Sequence, residues 1–245
     1  MFKTVKALVL REVRYKEADR ILTIFTDTDG KMTVKARGAL RKSSRTAAAT
    51  QQLVYGELTL FGNRGRWTVN EAALLESFKG LREDIENYAL GCYVAECLDA
   101  FSMEEQTDAA LLQLGLNTLY ALSNKLYPAE HIKAAFEMRL MCISGYEPDL
   151  SACYKCGCTE PDDPVLDIDR GAVGCRDCAV AGQSLCADSL RALRYIASAP
   201  AKQLFSFKLE GEAAKRLYAA CEKFLLKNAE RGFATLDYWK SLRIY

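Results

Sequence analysis

Along the first 76 residues, apolar positions recur at every second place in short runs broken by turn formers, the period of half-buried strands. Residues 4–13 are rich in Val and Leu, and residues 20–26 carry Ile21, Leu22, Ile24 and Phe25. Asp29-Gly30 is a hairpin turn pair. Residues 31–37 then set Met32, Val34 and Ala36 on one face and Lys31, Lys35 and Arg37 on the other. Runs at 53–61 and 67–75 flank the turn Gly62-Asn63-Arg64-Gly65. Five short strands are the number an OB-type barrel uses, and a small open sheet would satisfy the same pattern. Residues 38–52, between the third and fourth runs, are polar, basic and rich in small residues, which predicts a loop with a little helix.

From Leu81 the period becomes helical. Leu81, Ile85, Tyr88, Cys92, Ala95 and Leu98 are three or four apart. Asp108 is placed to cap a helix bearing Leu111, Gly115, Leu119, Leu122 and Leu126, and Pro128 to open one bearing Ile132, Phe136, Leu140 and Ile143. Gly145 and Pro148 end it. Residues 150–186 lose the period, which returns at 189–197 and 212–228. The expected architecture is α+β: a five-stranded OB-fold barrel over 1–80 and a helical domain over 81–245 interrupted by a four-cysteine module at 150–186.

Six of the ten cysteines fall in that interruption. Cys153-x2-Cys156 and Cys175-x2-Cys178 offer four thiolates at the spacing of a structural Zn²⁺ site. Cys158 could replace Cys156, Cys186 is a further thiol nearby, and free thiols on a loop are the bland alternative. A site of four thiolates is coordinatively closed and leaves no position to activate water. The module is acidic (Glu160, Asp162, Asp163, Asp167, Asp169, Asp177), which argues against phosphate contact there.

Charge divides along the chain in the same way. Residues 1–80 hold 15 Lys/Arg against 8 Asp/Glu, a balance of +7, and the remainder carries −6. That split points to a polyanion partner for the first part. Arg14, Lys16 and Arg20 follow the first strand, Lys31, Lys35 and Arg37 lie on the third, Arg41, Lys42 and Arg45 in the long loop, and Arg64 and Arg66 at the last turn. OB folds bind oligonucleotides on the face that these elements flank. Tyr15 and Trp67 are stacking candidates, though Trp67 suits the barrel core better. A merely solvated basic face is the alternative. The chain carries no Walker loop, no dinucleotide fingerprint and no nucleophile elbow. Its single histidine, His131, reads as a surface or capping residue, so no enzyme site is expected. Neither a signal-peptide core nor an 18-residue apolar run occurs, and the expected compartment is the cytoplasm.

Tyr15-Lys16-Glu17-Ala18-Asp19-Arg20-Ile21-Leu22, Phe25 through Lys31, Ala36 through Arg45, and Phe136 through Leu150 followed by Cys153-x2-Cys156 together resemble the RecO family of recombination mediators, in order and over nearly the whole chain. The resemblance implies binding of single- and double-stranded DNA, annealing of complementary strands, and action with RecR to help RecA displace the single-stranded DNA-binding protein. It also implies nucleoid association, and that the helical domain receives that protein's acidic, Phe-ending tail. Since that domain is net negative, such a site must be local. Arg139 leads for it, with Lys133 and Lys125 behind, and an internal salt bridge is the competing role for Arg139. An OB-fold adaptor that binds proteins and not DNA is the second reading, and a zinc-ribbon nuclease a distant third.

Overall fold

The computed structural model describes residues 1–179 and 181–243. Val180, Ile244 and Tyr245, which fall within the expected zinc-module and helical spans, lie outside the described residues. Five strands, β1 (Phe2–Tyr15), β2 (Asp19–Thr26), β3 (Gly30–Ala36), β4 (Tyr55–Asn63) and β5 (Arg66–Glu76), close a barrel in the order β1-β2-β3-β5-β4. All neighbours are antiparallel except β3 and β5, whose parallel pairing rests on Val34↔Trp67 and Lys35↔Thr68. Val5, Ala7, Val9, Leu22, Ile24, Val34, Leu58 and Leu60 fill the interior, the alternate positions that the period-2 pattern selects. Gly30 turns β2 into β3 at φ +65°, and a Cβ there would lie 2.2 Å from the Gln106 carbonyl oxygen. Both constraints require glycine. Between β3 and β4, Ala48–Thr50 forms a single 3₁₀ turn, the little helix expected there.

Two compact units emerge from the contacts: Met1–Asn124 with the described residues from Phe233 on, and Lys125–Gly232. The line between them differs from the change of period near residue 80, because the first helices pack on the barrel. In the first unit, α1 (Ile85–Phe101) is capped by Asp84, whose carboxylate accepts the Glu86 and Asn87 amides at 3.1 and 3.2 Å. Asp108 caps α2 (Ala109–Ser123) through the Leu111 amide, as its sequence position suggests. The buried side of α1 is broader than the stripe its spacing selects, of which Leu81, Ala95 and Leu98 are buried. Ile85 is exposed and Cys92 half-buried, whereas Leu90, Tyr93, Val94 and Cys97, off that stripe, are buried. The helix is wedged between β1, α2 and a short helix absent from the expectation, here α6 (Ala234–Ser241). With three neighbours it buries more than one stripe, and Tyr93 meets Phe233 edge-on at 5.6 Å.

The second unit holds α3 (Ala129–Ile143), α4 (Ala187–Ser198) and α5 (Gly211–Ala229). It also holds a small sheet in the order β7-β6-β8, formed by β6 (Pro164–Asp167), β7 (Ala172–Cys175) and β8 (Gln183–Ser184). His131 is not at the surface. It is buried against the Phe207 ring at 3.9 Å, with Nε2 at 3.0 Å from the Phe205 carbonyl, and burial lowers its pKa. Where α3 packs on α5, Lys133 lies in the core with its Nζ 2.7 Å from Glu137 and 2.8 Å from Glu222. Desolvation works against the ammonium, but the two carboxylates outweigh it and the lysine pKa is raised.

Removing that cation sets two buried-side carboxylates against each other. Lys133→Met is expected to cost about 3–5 kcal/mol of unfolding free energy at neutral pH in urea titrations, and Lys133→Met with Glu137→Leu to regain most of it. A single variant within about 0.5 kcal/mol of the parent would contradict this account of the core.

Candidate nucleic-acid interface and metal centre

β1 leads into the candidate nucleic-acid face. Its last residue, Tyr15, is followed by Lys16 at φ 55°, which opens the turn to β2. The opposite turn, Asn63 to Arg66, has Arg64 at φ 51° and Gly65 at φ 75°. Between the two turns, the barrel wall at the short β3–β5 pairing carries a groove of about 1070 Å³. Its lining includes Lys35, Arg37, Arg64 and Arg66, with Tyr15, Phe61, Phe2 and Trp67, and among the described residues contains no carboxylate.

The other expected basic residues divide into two sets. Arg14, Arg41, Lys42 and Arg45 are exposed and, among the described residues, form no ion pair, as is also true of Arg37, Arg64 and Arg66. Lys16 is exposed beside the Tyr15 ring. Arg20 and Lys31 are committed elsewhere. Arg20 Nη1 donates to the Ala47 carbonyl at 3.1 Å and to Thr50 Oγ1 at 3.2 Å, and lies 3.6 Å from Glu12. It thereby ties the long loop to the barrel. Lys31 donates to the Asp99 carbonyl at 2.6 Å and sits 3.1 Å from that residue's carboxylate, fastening β3 to α1. Lys35 belongs to both sets: it lines the groove, pairs with Asp19 at 2.8 Å and lies 4.8 Å over the Tyr15 ring. Its hydrogen bond lowers the Asp19 pKa.

Trp67 is half-buried against the barrel core. Gly62 pairs with it across β4 and β5, and a Cβ at Gly62 would meet its ring at 2.6 Å. Lys3 Nζ sits 4.0 Å over the ring and is held by Asp29 at 2.6 Å. Phe2 and Phe61, which line the same groove, are aromatic residues that the sequence pattern does not single out. Both stand at strand positions facing outward, and only the register reveals that they meet.

The four cysteines of the two pairs converge. Their Sγ atoms all lie within 4.8 Å of one another, with Cys156 and Cys175 3.5 Å apart. Tetrahedral Zn–S bonds of about 2.3 Å would set sulfurs about 3.8 Å apart, so the cluster fits a metal of that size. Each pair is a tight knuckle. The Gly157 amide donates to the Cys153 carbonyl, and the Cys178 and Ala179 amides to that of Cys175. Amides of Cys156, Cys175 and Lys155 favour the Cys153 thiolate and lower its pKa to about 6, while neighbouring thiols raise those of Cys175 and Cys178. Cys158 is exposed and contributes only its carbonyl, to the Cys153 amide; Cys186 faces Ser189. Neither thiol is in the cluster. Arg194 braces the first knuckle from α4 by donating to the carbonyls of Leu150 and Thr159 and pairing with Glu160.

The residues expected to take an acidic tail differ in burial. Lys133 is removed by its burial with Glu137 and Glu222. Arg139 is half-buried and donates to the Ala199 carbonyl, not to an acidic helix neighbour. Lys125 is exposed ahead of α3.

The family model for the recombination protein O N terminal matches residues 1–78, and that for the recombination protein O C terminal matches residues 82–237. Curated relatives include the DNA repair protein RecO of Acetivibrio thermocellus, 33% identical over 96% of this chain and 95% of that one. Another is the DNA repair protein RecO of Symbiobacterium thermophilum, 30% identical over 98% and 97%. No described helix is long and apolar enough to cross a membrane. Two family models that together span most of the chain, on a closed five-stranded barrel followed by helices and a four-cysteine cluster, make this chain a member of the RecO family of DNA repair proteins.

Proposed function

We propose that this protein is a non-enzymatic recombination mediator whose barrel binds single- and double-stranded DNA. The carrying observation is the groove, whose charged lining is wholly cationic: Lys35, Arg37, Arg64 and Arg66. Exposed Arg14, Lys16, Arg41, Lys42 and Arg45 extend that field, while Arg20 and Lys31 serve the fold. Such a surface neutralises phosphates without reading base edges, as strand annealing requires. In this reading the protein pairs complementary strands without hydrolysing nucleotide. With RecR it helps RecA load on DNA coated by single-stranded DNA-binding protein, on the cytoplasmic nucleoid.

The four-cysteine cluster is assigned one structural Zn²⁺, held by Cys153, Cys156, Cys175 and Cys178. Four thiolates close its coordination shell, so the ion holds the knuckles together and takes no part in chemistry. In the unit Lys125–Gly232, Arg139 and Lys125 are the basic groups assigned to the acidic tail of the single-stranded DNA-binding protein.

Binding to labelled oligonucleotides should weaken linearly in log K against log salt. Each phosphate neutralised on a single strand contributes about −0.7 to the slope. About five engaged cations would give a slope near −3.5. Reversing Arg37, Arg41 and Arg45 to Glu should weaken binding to every sequence alike. An unchanged affinity and slope would place the DNA elsewhere.

Elemental analysis of freshly purified protein should find zinc in a 1:1 ratio. Structural zinc binding is worth roughly 10–16 kcal/mol in peptides. A strong chelator should therefore open the module while the barrel keeps its DNA affinity. Protein purified without zinc would reject the assignment.

A tail peptide titrated into the full chain should bind, and Lys125→Glu and Arg139→Ala should each weaken it about 5-fold, the loss of one charge-assisted contact. Unchanged affinity in both variants would move the tail to another surface.

A further inference from the structure

We infer that the outer face of the barrel is a stacking platform for unpaired bases, centred on Phe2 and Phe61, that makes the protein distinguish single strands from duplex. This rests on the DNA-binding reading above and deepens it.

One row of residues runs round the outside of the barrel through every strand. Val13 pairs with Ile21, Ile21 with Lys35, Lys35 with Thr68, Thr68 with Phe61, and Phe61 with Phe2. These positions alternate with the filled interior, so their side chains face solvent. The row is nevertheless largely apolar. Phe2 is 61% exposed, Val13 45% and Phe61 38%, and Tyr15, two residues beyond Val13, is 43% exposed. Phe2 and Phe61 touch, with ring centroids 5.0 Å apart. The inward row at this end is occupied by Leu58, Leu60 and Val5, so the two rings have no room to turn inside.

An outward aromatic pair needs a partner with flat apolar faces, and the surrounding charge selects which. Among the described residues, the charged lining of the adjoining groove is cationic, Arg64 and Arg66 stand in the turn next to Phe61, and Lys35 lies in the row between the phenyl pair and Tyr15. Rings bracketed by cations suit a polyanion whose bases are free to stack, with its phosphates passing over the cations. A duplex keeps its base faces within its own stack and can offer only phosphates. Trp67 is not part of this platform, because its ring lies on the inward row against Gly62 and Lys3.

The test uses the full chain, fluorescence anisotropy and three probes: oligo(dT), an abasic strand of equal length, and a duplex closed by loops at both ends. Phe2→Leu with Phe61→Leu keeps the apolar surface and removes the rings. The double variant should bind oligo(dT) roughly 10-fold more weakly, in line with the loss of base stacking. It should bind the abasic strand and the closed duplex within about 2-fold of the parent. Phe61→Trp on the Phe2→Leu background should recover much of the loss, which a folding defect would not allow. Equal losses on all three probes, no loss on oligo(dT), or a loss confined to binding a protein partner would each overturn the platform. A parent protein that binds none of the probes would instead overturn the DNA reading beneath it. Binding of all three with the double variant unchanged removes the platform alone.

Discussion

Strand β1 is the member on which the first unit depends. At 14 residues it is long enough to serve two neighbours in succession: Phe2 to Leu8 pair with β4, and Ala7 to Tyr15 with β2. A register shift between Val9 and Arg11 bends it where the partners change. The Val9 amide and carbonyl continue the ladder onto Val54 and Leu53, so the bend leaves that backbone bonded. Closure of the barrel, the burial of its interior row and the meeting of Phe2 with Phe61 all follow from this one strand. The weakest seam is on the opposite side, where β3 and β5 share two paired positions, and the groove opens at that seam.

The second unit relies on a different constraint. Lys133, Glu137 and Glu222 are charges held in a helical core, and in other proteins such sets are often replaced by hydrophobic residues of similar volume without loss of stability. Once one of the three is present, the others become obligatory, because a buried charge without its counter-charge is far costlier than the set. The knuckles beside this core are ordered by short-range backbone hydrogen bonds and by Arg194, which spans from α4 to the loop carbonyls.

Much of this is legible in the sequence. The period-2 runs mark all five barrel strands, the caps at Asp108 and Pro128 mark helix starts, and the paired cysteines mark the four-sulfur cluster, because each signal is local and chemically narrow. The failures are equally physical. The spacing marks only part of the buried surface of α1, because a helix packed on several neighbours buries more than one stripe. His131, at the start of α3, reads as a surface group because two of the three aromatic residues around it, Phe205 and Phe207, lie more than 70 positions along the chain, and only Tyr127 is local. Phe2 and Phe61 go unmarked because their pairing is a property of register, and nothing in either local pattern announces it.

Charge is the property the linear sequence represents least faithfully. Eleven basic residues of the first 80 fit a DNA-binding face by position alone, yet folding sorts them. Arg20 sits opposite Ala36, an interior position, and turns to the Ala47 carbonyl. Lys31 stands at the start of β3 within reach of Asp99 on α1. What remains open to solvent lies at the turns and on the outward row, where no carboxylate lines the groove. In the acidic module, by contrast, several carboxylates meet cations of their own unit: Glu160 with Arg194, Asp163 with Arg176, and Asp169 with Lys227. Those pairs occupy cations that could otherwise contact phosphate. The contrast between a basic barrel and an acidic cysteine module is therefore set twice, by net charge and again by which charges the fold leaves unengaged.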